Sequence, residues 1–189
     1  MSGYLVGALI VVLILVTAGG LVIFNGLISL RNEIRRSWSN IDVLLKQRFD
    51  EIPRLVEVCK GYMKHEREVL QLVIQARSRI SSAHGLSEQT RAQDGLSDAI
   101  RSLFALVERY PDLKANESFL KLQRRITELE NQIADRREFY NQYVAAYNTR
   151  RESFPDLLIA GPLGFQRAEW WKVQSAAERR NPTLDLDRI

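Results

Sequence analysis

The first charged side chain in the sequence is Arg31, and residues 4–24, YLVGALIVVLILVTAGGLVIF, form one unbroken apolar run. A bilayer core about 30 Å thick is crossed by about 20 apolar residues in helical form. Lipid offers no hydrogen-bond partners, so a spanning segment must bond its own backbone, as a helix does. Gly19 and Gly20 are compatible with this, because glycine is common in membrane helices. A cleaved signal peptide fits poorly. The run is longer than the usual apolar region of such peptides, no basic stretch precedes it, and no Ala-x-Ala site follows. The expectation is a transmembrane anchor over residues 1–30. Arg31, Arg35 and Arg36 outweigh Glu33 on its C-terminal flank. The positive-inside tendency then predicts a single-pass protein with its N-terminus outside and the rest of the chain in the cytoplasm.

Beyond the anchor, apolar residues recur at steps of four and three. Ile34, Trp38, Ile41 and Leu45 are followed by Ile52, Leu55, Cys59 and Tyr62, then by Val69, Val73, Ala76 and Ile80, with Arg48 and Glu66 at the two skipped positions. This spacing marks one face of a long helix. Its phase is unchanged across Pro53, and no glycine or asparagine between Ile41 and Lys60 offers a turn. A single helix kinked at Pro53 is therefore expected, reaching about Ile80, with a break at Pro53 as the alternative. A loop is expected near residues 83–86, and Ser87 with Thr90 can start the next helix. The stripe Leu96, Ile100, Leu103 and Val107 ends at Pro111. A last helix starts near Asn116, a good N-cap type, and ends before Pro155. Its seam is Phe119, Leu122, Ile126, Leu129, Ile133, Arg136, Tyr140, Tyr143 and Tyr147. No strand-like alternation competes. The fold class is all-α: an anchor, an antiparallel bundle of three to four long helices over residues 31–160 with coiled-coil-like seams, and a C-terminal tail over 161–189. The final stretch, RRNPTLDLDRI, reads as a flexible tail.

Chemistry-bearing residues are few. A single cysteine excludes an intramolecular disulfide, and two histidines cannot build a Cys/His-rich zinc site. Cys59 lies on the apolar stripe and reads as a buried, inert thiol, and His65 as solvated or capping. Trp38 reads as a core or interface anchor. The tyrosines at 140, 143 and 147 read as core. Glu128 and Glu130 do not share a helix face as an i,i+4 acid pair would, and no Glu-x-x-His motif is present for a di-iron site. Polar seam positions set register or pairing, and Glu66 with Arg136 is the expected ion pair. Trp170 and Trp171, flanked by cations, suit either a membrane interface or the end of a bundle. The net charge of +4 is not gathered into a basic tract, so no nucleic-acid partner is expected.

Two blocks resemble the LemA family of bacterial membrane proteins. The first is RNEIRRSWSNIDVLLKQRFDEIPRLVEVCKGYMKHE at residues 31–66, continuing through VIQAR. The second is ELENQIADRREFYNQYVAAYNTRRESFPDLLIA at residues 128–160, with its paired YN at Tyr140–Asn141 and Tyr147–Asn148 and its FP at Phe154–Pro155. The resemblance implies a bacterial inner-membrane protein with one anchor and a four-helix bundle, and it implies no catalytic activity. A fourth helix would arise from a break at Pro53 or from a helical tail at residues 166–173.

If the first helix is continuous to Ile80, it is about 75 Å long, and the third helix points away from the membrane. The stripe of Ile34, Trp38, Ile41 and Leu45 is then uncovered, and it is the candidate interaction face for a second copy or another membrane protein. The functional reading is a membrane-anchored, non-enzymatic scaffold or adaptor that binds partner membrane proteins through helical faces. The alternative is a self-associating, membrane-organising protein using Trp170 and Trp171. No nucleophile–base pair or phosphate loop is visible, so no small-molecule substrate or cofactor is expected.

Overall fold

The structure is a computed structural model and describes residues 2–172. Val173 and the stretch read as a flexible tail lie outside them. Helix α1 spans Ser2–Tyr62, α2 Arg67–Ser82, α3 Gly85–Val107, α4 Pro111–Lys114, α5 Glu117–Glu152 and α6 Leu157–Ala160, and no strand occurs among the described residues. The chain divides into two units, residues 2–41 with Arg136–Trp170, and Asp42–Asp135 with the end of the described chain.

In the second unit, α1 passes through Pro53 without interruption. Proline cannot donate to the carbonyl four residues back, which is that of Phe49. Arg77 on α2 replaces the missing donor: its Nε bonds the Phe49 carbonyl at 3.1 Å, and its guanidinium stacks over the Phe49 ring at 3.8 Å. The first helix does end early, at Tyr62 rather than near Ile80, and residues 63–66 turn into α2. Gly61 stands just before this break. Helix α3 begins at Gly85, with the His84 backbone N–H donating to the Glu88 carboxylate at 3.0 Å. Asn116 caps α5 as its residue type predicts, its side-chain oxygen accepting from the Phe119 N–H at 3.0 Å.

The core of this unit gathers Ile52, Leu55 and Cys59 from α1, Leu70 and Val73 from α2, Leu96, Ile100 and Leu103 from α3, and Phe119 and Ile126 from α5. Each Ile, Leu, Val or Phe among them contributes about 1.5–3 kcal/mol on full burial. Arg48, expected to interrupt the seam, is buried within it. Its guanidinium donates to Ser97 Oγ at 2.8 Å, to the Glu130 carboxylate and to the Gln93 side-chain oxygen. The expected Glu66–Arg136 pair is corrected accordingly. Glu66 instead accepts from the Tyr110 hydroxyl at 3.1 Å, Arg136 lies 6.0 Å from the Phe139 ring, and the seam charge that finds an ionic partner is Arg48.

In the first unit, α1 pairs with the C-terminal part of α5. Trp38 meets Tyr140 edge to face at 5.8 Å, and Gly26 lies against the Arg150 guanidinium, where a Cβ would collide. As positions on α1 fall, those on α5 rise, so the two run antiparallel. This overturns the expectation of an uncovered proximal stripe. Ile34, Ile41 and, in the other unit, Leu45 are buried, and Trp38 is half-buried. The reason is parity. The break at residues 63–66 adds a helix, so α5 returns alongside α1 instead of leaving it. The buried face of α5 also steps from Ile133 to Tyr140 and Val144, leaving Arg136 exposed.

The Arg77 bond to the Phe49 carbonyl should be worth about 1–3 kcal/mol, the cost of orphaning a part-buried acceptor. Replacing Arg77 with Met should lower unfolding stability by that amount. In a Pro53→Ala background, where residue 53 regains its N–H, the same replacement should cost clearly less. Denaturant titration of the four proteins of this cycle measures the difference.

Candidate functional site

The C-terminal part of α5 holds the chain that follows it. Tyr140, Tyr147, Asn148 and Arg151 recur at spacings of seven, eight and eleven, which is one helix face. All four bond backbone of residues 165–169. Tyr140 donates to the Glu169 carbonyl at 2.9 Å and Tyr147 to the Gln166 carbonyl at 3.0 Å. Asn148 donates to the Ala168 carbonyl and accepts from the Ala168 N–H, each at 2.9 Å. Arg151 Nε donates to the Phe165 carbonyl at 2.6 Å. Residues 165–169 therefore form a strap without regular secondary structure, not a helix. Burial pushes the Tyr140 and Tyr147 hydroxyls above the usual tyrosine range, with Glu169 adding to the effect at Tyr140 and Arg151 opposing it at Tyr147. Both remain donors at physiological pH. Their rings are core, as the spacing predicts, but their hydroxyls hold the strap.

Beside the Trp38–Tyr140 contact lies an open cleft of about 310 Å³, lined by Glu33, Arg36, Ser37 and Asn40 from α1 and by Arg136, Phe139 and Tyr143 from α5. Its α1 residues recur at three, four and seven, one face beside the buried Ile34 and Ile41. The cleft offers both charge signs, three amide or hydroxyl groups (Ser37, Asn40 and Tyr143) and the half-exposed Phe139 ring. These groups suit contact with side chains of another helix. The candidate interaction face thus moves around α1, from the buried Ile34, Ile41 and Leu45 to the neighbouring polar row.

The two tail tryptophans part company. Trp171 is 2% exposed, which removes it as a membrane-interface residue, whereas Trp170 is 38% exposed. Cys59 is fully buried, and burial pushes its thiol up to about 12. It is a neutral, shielded thiol across the physiological range. Among the described residues, no group of three or more His, Cys, Asp or Glu side chains is arranged to hold a metal ion. His65 is exposed. In the other unit, Lys60, Lys64, Arg67 and Gln71 ring a hollow of about 470 Å³ over Met63, Leu70 and Ile74, at the turn between α1 and α2.

Removing the Asn148 side chain should free both bonds to Ala168. In Asn148→Ala the amide exchange of residues 165–170 should accelerate while that of α3 is unchanged, with a stability loss of about 1–3 kcal/mol. Hydrogen–deuterium exchange followed by mass spectrometry measures both.

The model of the LemA family matches residues 37–186, a span that continues past Gly161 through the strap. Protein LemA of Metamycoplasma hominis is 28% identical over 165 residues, covering 83% of this chain and 75% of that protein. Magnetosome protein MamQ 2 of Paramagnetospirillum magneticum is 32% identical over 87 residues, and magnetosome protein MamQ of Magnetospirillum gryphiswaldense is 29% identical over the same length. Each of these matches covers 46% of this chain and 32% of the relative, so the chain spans about a third of the MamQ proteins. With its apolar N-terminal helix long enough to cross a membrane, its all-helical fold and a family match over most of its length, the chain belongs to the LemA family.

Proposed function

We propose that the protein is a membrane-anchored, non-enzymatic scaffold that grips a partner membrane protein through its membrane-proximal helical faces. One observation carries this reading: the apolar run and the α1 side of the cleft lie in the same unit on one uninterrupted helix, with no linker between anchor and cleft. A catalytic domain gains little from such rigid attachment. A binding face gains a set height and heading above the bilayer. The cleft of Glu33, Arg36, Asn40, Arg136 and Phe139 is the face so presented. The shielded Cys59 thiol supports a non-catalytic role. The MamQ likeness supports a module used in chains of different lengths. The alternative, a self-associating membrane organiser built on both tail tryptophans, loses Trp171 to burial.

A photoreactive residue in place of Phe139 or Asn40, irradiated in native membranes, should give adducts with a different membrane protein. Adducts with a second copy would favour self-association instead, and crosslinks confined to the chain itself would refute the docking face. The orientation that fits Arg31, Arg35 and Arg36 has the bundle in the cytoplasm. Alkaline phosphatase fused to the C-terminus should then be inactive, and an active fusion would reverse the orientation.

A further inference from the structure

Residues 153–164, SFPDLLIAGPLG, turn the chain from α5 into the strap and carry a dense group of exposed apolar side chains. Phe154 is 81% exposed, Leu157 51%, Leu158 65% and Leu163 57%. Water-exposed apolar residues in such number on one short turn mark a contact surface. Three observations identify what the surface meets.

The first is its position along the anchor. A Cβ at Gly20 would lie 3.7 Å from Ile159 Cδ1, so the turn packs beside Gly20. That residue lies inside the apolar run, about 6 Å before its end at Phe24 and about 16 Å before Arg31 along the helix. The Phe24 ring meets Phe165 edge to face at 5.7 Å.

The second is charge. No charged residue occurs from 157 to 166. Asp156, at the start of the segment, is buried and paired with Arg150, Nε to Oδ2 at 2.5 Å. The Arg31 guanidinium lies 6.0 Å from the Phe165 ring, at the level where lipid headgroups would begin.

The third is the backbone. Every N–H from Leu157 to Phe165 donates to a main-chain carbonyl, Pro162 having none to donate. Leu157 bonds Ser153, Leu158 bonds Pro155, Ile159 and Ala160 bond Asp156, Gly161 bonds Leu157, Leu163 bonds Ile159, Gly164 bonds Gly161 and Phe165 bonds Ala160. Such N–H closure leaves few open donors where the turn lies beside the apolar run. Within a bilayer closure is required of any backbone that meets lipid.

We propose that residues 153–164 form a second membrane contact, an apolar turn that dips into the same leaflet that α1 crosses. Phe154, Leu157, Leu158 and Leu163 enter the boundary between headgroups and acyl chains. Interfacial segments of this kind bury their apolar face about 5–10 Å deep. The protein is thereby held at two points, which fixes its rotation about the anchor axis as well as its height. The inference rests on α1 spanning the membrane.

The test uses the full chain reconstituted in vesicles of three parts phosphatidylcholine to one part phosphatidylglycerol. An environment-sensitive fluorophore is attached to Leu158→Cys, and separately to Leu163→Cys, while the buried Cys59 stays unlabelled. Val22→Cys reports the anchor and Lys121→Cys a solvated helix surface. Quenching by phospholipids with a spin label high on the acyl chain should be close to the Val22 value at positions 158 and 163, and several-fold above the Lys121 value. Quenching at Val22 but not at 158 and 163, with water-like emission there, would overturn the second contact and leave the anchor standing. Absence of quenching at Val22 would overturn both. Shielding of 158 from lipid and water together, with crosslinks to a second copy, would assign the turn to a protein interface and equally overturn the proposal.

Discussion

A bilayer core offers backbone amides nothing to bond, and much of the membrane-proximal architecture follows from that constraint. The apolar run of residues 4–24 must be helical, and the helix does not stop where the run does. It continues through Arg31, Ile34 and Trp38, within the same unit that contains the cleft. The turn beside Gly20 is compatible with the same constraint, since every N–H from Leu157 to Phe165, Pro162 aside, donates to a main-chain carbonyl. Gly26 serves the arrangement by leaving room for Arg150, whose pairing with Asp156 removes the one charge that opens the turn.

Elsewhere, each interruption of a regular pattern is answered by a specific side chain. Pro53 deprives the Phe49 carbonyl of its donor, and Arg77 supplies one. Arg48 brings a cation into an apolar seam, where Ser97, Gln93 and Glu130 receive it. An unpaired cation at that position would be strongly unfavourable. The strap has no regular bonding of its own, and Tyr140, Tyr147, Asn148 and Arg151 hold its backbone. These devices are structural, and the polar row of the cleft takes no part in them.

The anchor, the helical class, the Asn116 cap and the passage of α1 through Pro53 are legible in the sequence, because each depends on local composition or spacing. The break at residues 63–66 is not. Cys59, Tyr62 and Val69 stay in phase across it, so periodicity reads straight through, and only Gly61 hints at the end. Missing that one turn inverts the direction inferred for the last helix, and so leaves Ile34, Ile41 and Leu45 bare in a sequence reading when they are buried in the fold. The Arg48–Glu130 pair escapes notice for a related reason. The two residues are far apart in sequence, and Glu130 belongs to no conspicuous motif. The strap is invisible because its partners are main-chain carbonyls, which carry no side-chain signature. Arg136 is not in the seam because the buried positions of α5 pass from Ile133 to Tyr140, where a strict alternation of four and three points to position 136 between them.

Anchor and cleft share one uninterrupted helix and should behave as one rigid element. Hydrogen–deuterium exchange of the full chain in lipid nanodiscs tests it most directly, read along residues 25–41, where the helix leaves the apolar run. The amides there should exchange slowly and as a continuous block, with protection unbroken from Asn25 to Ile41. Rapid, loop-like exchange over residues 25–31 would mean a flexible tether between membrane and cleft instead of one rigid element.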